Sequence, residues 1–173
     1  MIIKKSLVKI AIVPNVERIA REMTTTSQVG IILNRVKRLD LGSLVKIGLN
    51  NLTYLPKIAK RDFAVGIKIL TELEVLKLLE NGGIRGIALH QQMTDMAVAL
   101  NNRRVIEYLF TMSKNYDFVP YLYTCNVGPL VTLLSSIRAI PDNLVVVSSG
   151  EIDEALVEYM KHSHLKFMKM SNK

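Results

Sequence analysis

The sequence predicts one α/β domain over residues 1–173, a small, trimmed TIM-like (β/α) barrel of seven or eight mainly parallel strands. Three observations lead there. Short β-rich runs alternate with helical patterns along the whole chain, which is the signature of parallel pairing with right-handed crossovers. A hydrophobic fraction of 49% in 173 residues is enough for one sizeable core. Aromatics make up only 6% and Trp is absent, so that core is built from Ile, Leu, Val and Met. A full barrel typically needs about 250 residues, so a shortened one is expected, and an open doubly wound sheet is the alternative.

The elements follow in order. Residues 7–13 read as a strand, and Asn15 then caps a helix with Val16, Ile19, Ala20 and Met23 on one face. Residues 29–33 read as the second strand. Asp40 starts a helix with Leu44, Val45, Gly48, Leu49 and Leu52 on one side. Residues 54–60 and 63–69 read as two further strands with almost nothing between them. The Thr71–Glu74 capping box opens a helix that stops at Gly82 and Gly83. Residues 84–89 are a strand, 94–116 a long helical stretch and 118–124 a strand. Gly128 and Pro129 begin a helix carrying Leu130, Leu133, Leu134 and Ile137 at helical spacing. The Val-rich run 143–147 suits a strand buried on both faces. A second capping box, Ser148–Glu151, opens a helix with Ile152, Ala155, Leu156, Tyr159 and Met160 on one face, and residues 165–170 close the set as a strand. Barrel closure would place the first and last strands side by side.

Charge is unevenly placed. Residues 1–70 carry 13 Lys and Arg against 4 Asp and Glu, a balance of +9. Residues 71–160 carry 6 against 11, or −5, and residues 161–173 carry 4 against none. Ends that meet in space would make one strongly positive side, which favours a polyanion such as RNA. A charged thermophile-style surface raises Lys and Glu too, but does not separate the signs. The single cysteine, Cys125, excludes an intrachain disulfide and fits a reduced compartment such as the cytoplasm, most simply as a small buried residue. No apolar run is long enough to span a membrane, and residues 1–6 do not look like a secretory signal.

In a parallel barrel the functional rim lies at the C-terminal ends of the strands. Those positions are Asn15, Asn34, Arg35, Lys60, Arg61, Lys68, His90, Gln91, Gln92, Tyr123, Thr124, Ser148 and Ser149. They are polar or cationic, with no Asp or Glu at the strand ends themselves. That absence argues against an independent active site. The basic clusters Arg35, Lys37 and Arg38, Lys60 and Arg61, and Arg103 and Arg104, with Lys68, His90, Ser148 and Ser149, are the candidate RNA contacts. Arg103 and Arg104 can instead pair with Glu107 on their own helix. Ser148 and Ser149 enter a helix, where a phosphate is welcome but an ordinary N-cap explains them equally well. His162 and His164 are too few ligands for a stable zinc site. Tyr121 and Tyr123 could stack on bases, but their alternation with Leu122 also describes a barrel wall.

The order of elements, and above all the run Asn143–Gly150 ending in Ser148, Ser149 and Gly150, resembles the thirty-kilodalton, barrel-type subunit family of ribonuclease P, called protein component three in archaea. Phe63–His90 is similar in pattern as well. The resemblance implies a barrel related to the polymerase-and-histidinol-phosphatase metalloenzymes and a role in removing the 5′ leader of precursor tRNA. In that assembly the RNA subunit holds magnesium and cleaves. The protein supports the RNA together with other protein subunits, especially a small ferredoxin-like one, and binds no cofactor itself. The metalloenzyme relatives carry His-x-His after the first strand, where this chain has Pro14 and Asn15. Many family members also continue past the Ser-Ser-Gly strand with a basic loop that is absent here. The competing expectation is a small barrel enzyme acting on a phosphorylated metabolite, with Ser148 and Ser149 as phosphate clamp and His90 as acid or base. Asp95 folding back over the rim beside His90 would favour it.

Overall fold

The computed structural model describes residues 9–37, 40–51, 54, 62–80, 82–149 and 165–169. In chain order they form β1 (Lys9–Val13), α1 (Val16–Met23), α2 (Gln28–Val36), α3 (Leu41–Asn51), α4 (Phe63–Glu80), β2 (Ile84–Leu89), α5 (Gln91–Ala99), α6 (Arg103–Tyr116), β3 (Val119–Thr124), α7 (Val127–Ser135), β4 (Val145–Ser148) and β5 (Lys166–Lys169). The fold class is α/β. All four strand pairings are parallel, in the order β1-β2-β3-β4-β5. Among the described residues β1 and β5 stand at opposite edges rather than side by side.

Two expected strands are helices. Residues 29–33 belong to α2, where Ser27 Oγ accepts the Gly30 N–H at 3.2 Å and Ile31 is buried. Residues 63–69 begin the eighteen-residue α4. Asp62 Oδ1 accepts the Val65 N–H at 3.2 Å and starts it. A short apolar run does not separate strand from buried helix by periodicity, and here packing decides. Helix α4 is apolar nearly all round because it lies between the sheet and the outer helices α2, α3 and α6, and its residues 64–73 are all buried. The capping box expected at Thr71–Glu74 therefore falls mid-helix. Thr71 is buried and its hydroxyl has no hydrogen-bond partner among the described residues.

Other expectations meet the structure more closely. Asn15 caps α1, its Oδ1 accepting the Arg18 N–H at 2.9 Å. Gly82 and Gly83, with φ of 70° and 78°, end the α4 unit in a conformation few other residues adopt. The helix at Asp40 forms, but its buried stripe is Ile47 and Asn51, while Val45 and Leu49 face solvent. The long helical stretch at 94–116 breaks into α5 and α6 at Asn101, whose φ is 47°, and the Asn102 N–H closes α5 on the Ala97 carbonyl at 2.7 Å. Of the strand expected over 54–60 only Tyr54 is described, and of the Ser148–Glu151 box only Ser148 and Ser149; residues 55–60, 150 and 151 and the helix expected over 152–160 lie outside the described residues.

One face of the sheet carries the main core. Val13, Ile87, Leu89, Leu122 and Val146 pack there against α4 to α7. The opposite face holds a smaller cluster drawn from the strands alone: Ala88, Tyr121, Val145 and Val147. A Cβ on Gly86 would stand 2.5 Å from Tyr121 Cε2, so the glycine is what lets that ring lie across β2. Tyr121 is thus buried on this second face of the sheet and is not presented for stacking.

Candidate functional site

The C-terminal ends of β2, β3 and β4 converge on one polar row. After β2, His90 Nδ1 accepts the Gln92 N–H at 3.2 Å and caps α5. This fixes the ring and leaves Nε2 to carry its proton. One turn on, Asp95 reaches across to the end of β3. Its Oδ1 accepts the Thr124 hydroxyl, and its Oδ2 accepts the Cys125 N–H at 3.4 Å. Thr124 Oγ1 in turn accepts the Asn126 N–H at 2.8 Å. Cys125 Sγ lies 2.7 Å from Gln91 Nε2 and 3.1 Å from Ser149 Oγ, so the thiol joins the ends of β2 and β4. Cys125 is exposed, which overturns its reading as a small buried residue.

Asp95 is the rim residue that strand ends alone do not reveal. It sits in α5, six residues past the end of β2, and enters the rim because that helix turns it toward the end of β3. The rim thus carries a carboxylate that the bare list of strand-end residues lacked. Its partners are Thr124 and Cys125 rather than His90. Helix α7 begins at the same rim, and its N-cap Asn126 makes no side-chain cap hydrogen bond, so the positive end of that helix faces the site.

The end of β1 is built differently. The Asn15 N–H donates to Glu74 Oε2 at 2.7 Å, and Arg35 Nη1 donates to Glu74 Oε1. Arg35 Nη2 also donates to Glu22 Oε2 at 3.1 Å, while Arg18 Nε donates to Glu22 Oε1 at 2.9 Å. Burial pushes the Glu22 carboxyl up, and the hydrogen bonds from Arg18 and Arg35 more than offset this, leaving it below its ordinary value. Arg35 is nine-tenths buried and neutralised by two carboxylates.

The other candidate cations fare as follows. Lys68 is buried in the helix layer, donating to Asn51 Oδ1 at 2.7 Å and Glu72 Oε2 at 3.1 Å. It sits in mid-α4 because residues 63–69 are not a strand, so it does not reach a rim. Arg104 donates to Asp62 Oδ2 at 2.9 Å and Arg103 Nε lies 3.8 Å from Glu107 Oε1. Ser148 is fully buried, leaving Ser149 alone at the rim. Lys37 is exposed. Arg38, Lys60, Arg61, His162 and His164 lie outside the described residues. Among the described residues no cluster of three or more His, Cys, Asp or Glu could hold a metal ion, and no helix is long and apolar enough to cross a membrane.

Set against known proteins, the chain matches no family model, no curated protein and no solved structure.

Proposed function

We propose that this chain is a small barrel-type α/β protein that binds and acts on a phosphorylated metabolite at the C-terminal rim of β2, β3 and β4. The observation that carries this reading is the row joining the three strand ends, with Asp95 turned back onto Thr124 and Cys125, and Cys125 set between Gln91 and Ser149. Helix α7 starts there without a side-chain cap, so its positive dipole end favours an anion. His90, held through Nδ1, is the acid–base group, and the exposed Cys125 thiol is the nucleophile within reach of the same space. Strands wound in sequential order, with the helices packed against one face, are the arrangement of a barrel wall, and seven or eight strands in a closed ring belong to this proposal.

A second reading, a protein subunit of ribonuclease P that supports the catalytic RNA on precursor tRNA, is favoured by one specific observation: the +9 balance of residues 1–70 and the uncompensated positive charge of residues 161–173. Against it, Arg35, Lys68 and Arg104 spend their charge on carboxylates of this chain.

Calorimetric titration with ribose 5-phosphate, glyceraldehyde 3-phosphate and inorganic phosphate separates the two readings. The metabolite reading expects saturable binding that slows alkylation of Cys125 by iodoacetamide and weakens roughly tenfold in Ser149→Ala, the loss of one hydrogen bond to a charged ligand. The subunit reading expects none of this. It expects salt-sensitive binding of precursor tRNA and a large fall in 5′-leader cleavage when the chain is left out of a reconstituted ribonuclease P at moderate magnesium.

A further inference from the structure

At the far end of the sheet from the rim, below the N-terminal ends of β3 and β4, a groove of about 1030 Å³ runs between α6 and the segment joining α7 to β4. The length of β3, about 20 Å at ~3.3 Å per residue, separates it from the row at Cys125. It is therefore a different place from the rim and depends on neither reading of the rim.

The groove arises from how two helices end. Helix α6 stops at Asp117, whose φ of 53° is left-handed, and the Phe118 N–H returns to the Ser113 carbonyl at 3.2 Å. That turn drives Phe118 inward at the start of β3. Helix α7 closes when the Ile137 N–H meets the Leu134 carbonyl at 2.8 Å. Residues 136–144 then arch to β4 through a turn in which the Leu144 N–H meets the Pro141 carbonyl at 3.0 Å. This connection is longer than the roughly two to six residues that usually suffice between helix and strand. The extra length stands off from α6 and leaves the space open.

Two features of the lining select an occupant. The buried Phe110, Phe118 and Ile137 close the bottom, and the half-buried Ile140 and Pro141 leave apolar surface open on one wall. The lips are charged and unbalanced. Arg103 faces Glu107 of its own helix at 3.8 Å. Lys114, from α6, and Arg138, from the opposite wall, make no ion pair among the described residues, and Asp117 is the one further carboxylate in the lining. The three cations of the lining outnumber its two carboxylates by one, so a neutral apolar ligand would leave a cation without a counter-charge. A purely hydrophilic anion would leave the apolar wall at Ile140 and Pro141 wet. A molecule with an anionic head and an apolar body satisfies both, and small-ligand sites of about 300–1000 Å³ are of this size.

We propose that this groove binds a small anionic amphiphile, a carboxylate or phosphate carried on an apolar chain. Lys114 and Arg138 take the head group, and the body lies along Ile140 and Pro141. Decanoate and decyl phosphate, below their micelle-forming concentrations, are the probes, with decanol and inorganic phosphate as the half-molecules. Calorimetry should give saturable one-to-one binding of at least one amphiphilic anion, with each half-molecule at least tenfold weaker. Amide chemical-shift changes should concentrate in residues 110–118 and 137–143. The double variant Lys114→Gln, Arg138→Gln changes only exposed side chains and should lower affinity tenfold or more while leaving the Tm unchanged. Preference for decyl phosphate over decanoate identifies the head group as phosphate, and the reverse identifies a carboxylate. Absence of saturable binding overturns the proposal. So does binding that the double variant leaves intact, or shift changes centred on the exposed Ile10, Ile12 and Met168 of the sheet face opposite the main core.

Discussion

Two carboxylates organise this molecule, and they do so in opposite surroundings. Glu72, in mid-α4, is sealed. Its Oε1 accepts the Tyr116 hydroxyl at 2.7 Å, and its Oε2 accepts Asn51 Nδ2 at 2.8 Å and Lys68 Nζ at 3.1 Å. Lys68 also sits 4.7 Å from the centre of the Tyr54 ring, which meets Tyr108 edge-on at 5.8 Å. Asp95 has similar partners in kind, a hydroxyl and a backbone N–H, but sits half-exposed beside a thiol open to solvent. A carboxylate whose bonding capacity is spent on its own chain inside the helix layer pins α3, α4 and α6 together. One anchored at an open strand end sets the shape of a surface that something else can touch. Satisfaction and exposure together, rather than charge alone, separate a structural network from a candidate site.

The largest effect should come from breaking the sealed network. Glu72→Leu leaves the Lys68 ammonium buried without its counter-charge, and Lys68→Met leaves the carboxylate so. Each should cost about 3–5 kcal/mol, read as a shift in the urea midpoint at constant m-value. The double variant Lys68→Met, Glu72→Leu should recover a large part of that loss, because an apolar pair of similar volume replaces a buried ion pair. Single variants with wild-type midpoints would show that the two charges are solvated and the network is not sealed.

Asp95→Asn should behave in the contrary manner. The amide keeps an oxygen for the Thr124 hydroxyl, so stability should fall by about 1 kcal/mol, the worth of one ordinary hydrogen bond. The chemistry of the rim should change more than the fold. Without the carboxylate holding the Cys125 N–H, the rate of Cys125 alkylation and the affinity for phosphorylated ligands should shift several-fold. A variant that loses several kcal/mol with an unaltered alkylation rate would place Asp95 with Glu72 as a structural carboxylate.

The same contrast explains what could be read from the chain before its structure. Strands β1, β2, β3, β4 and β5 and helices α1 and α7 carry local signals: Asn15 as a cap, Gly82 and Gly83 as a stop, a near-continuous Val run. Residues 29–33 and 63–69 carry apolar runs with no local signal of type, and burial against the sheet made them helices. That error propagated to function. With 63–69 taken as a strand, Lys68 stood at a rim and could meet RNA, whereas in α4 it is one helical turn from Glu72. His90, Gln91 and Ser149 were legible as rim residues because their strands were. Asp95 entered only as a conditional, since its role depends on the direction of α5. Arg35 was legible as a cation, but its partners Glu22 and Glu74 are 13 and 39 residues away, and only the tertiary fold brings them together.

Between the sealed and the open carboxylate stands a third, and it gives the smallest effect. Asp62 lies at the margin of the buried network, accepting Arg104 Nη2 at 2.9 Å, while Arg104 Nη2 lies 3.4 Å from the Tyr108 hydroxyl. The hydrogen bond from Arg104 holds the Asp62 carboxyl below its ordinary value, and burial only partly opposes it. A depressed carboxyl contributes stability that is complete above its unfolded pKa, about 3.9, and is lost as pH falls through the lower folded value. Arg104 is 42% exposed, so solvent screening holds the contribution to about 0.5–1 kcal/mol. Asp62→Asn retains an oxygen to cap α4 at the Val65 N–H and removes only the charge. Urea denaturation from pH 7 to pH 2 should therefore show wild type above the variant by that amount down to about pH 4, with the two curves converging below it. Curves that stay parallel to pH 2 would assign the loss to helix capping rather than to the ion pair. They would also move Asp62 from the margin of the sealed network to the class of plain helix caps.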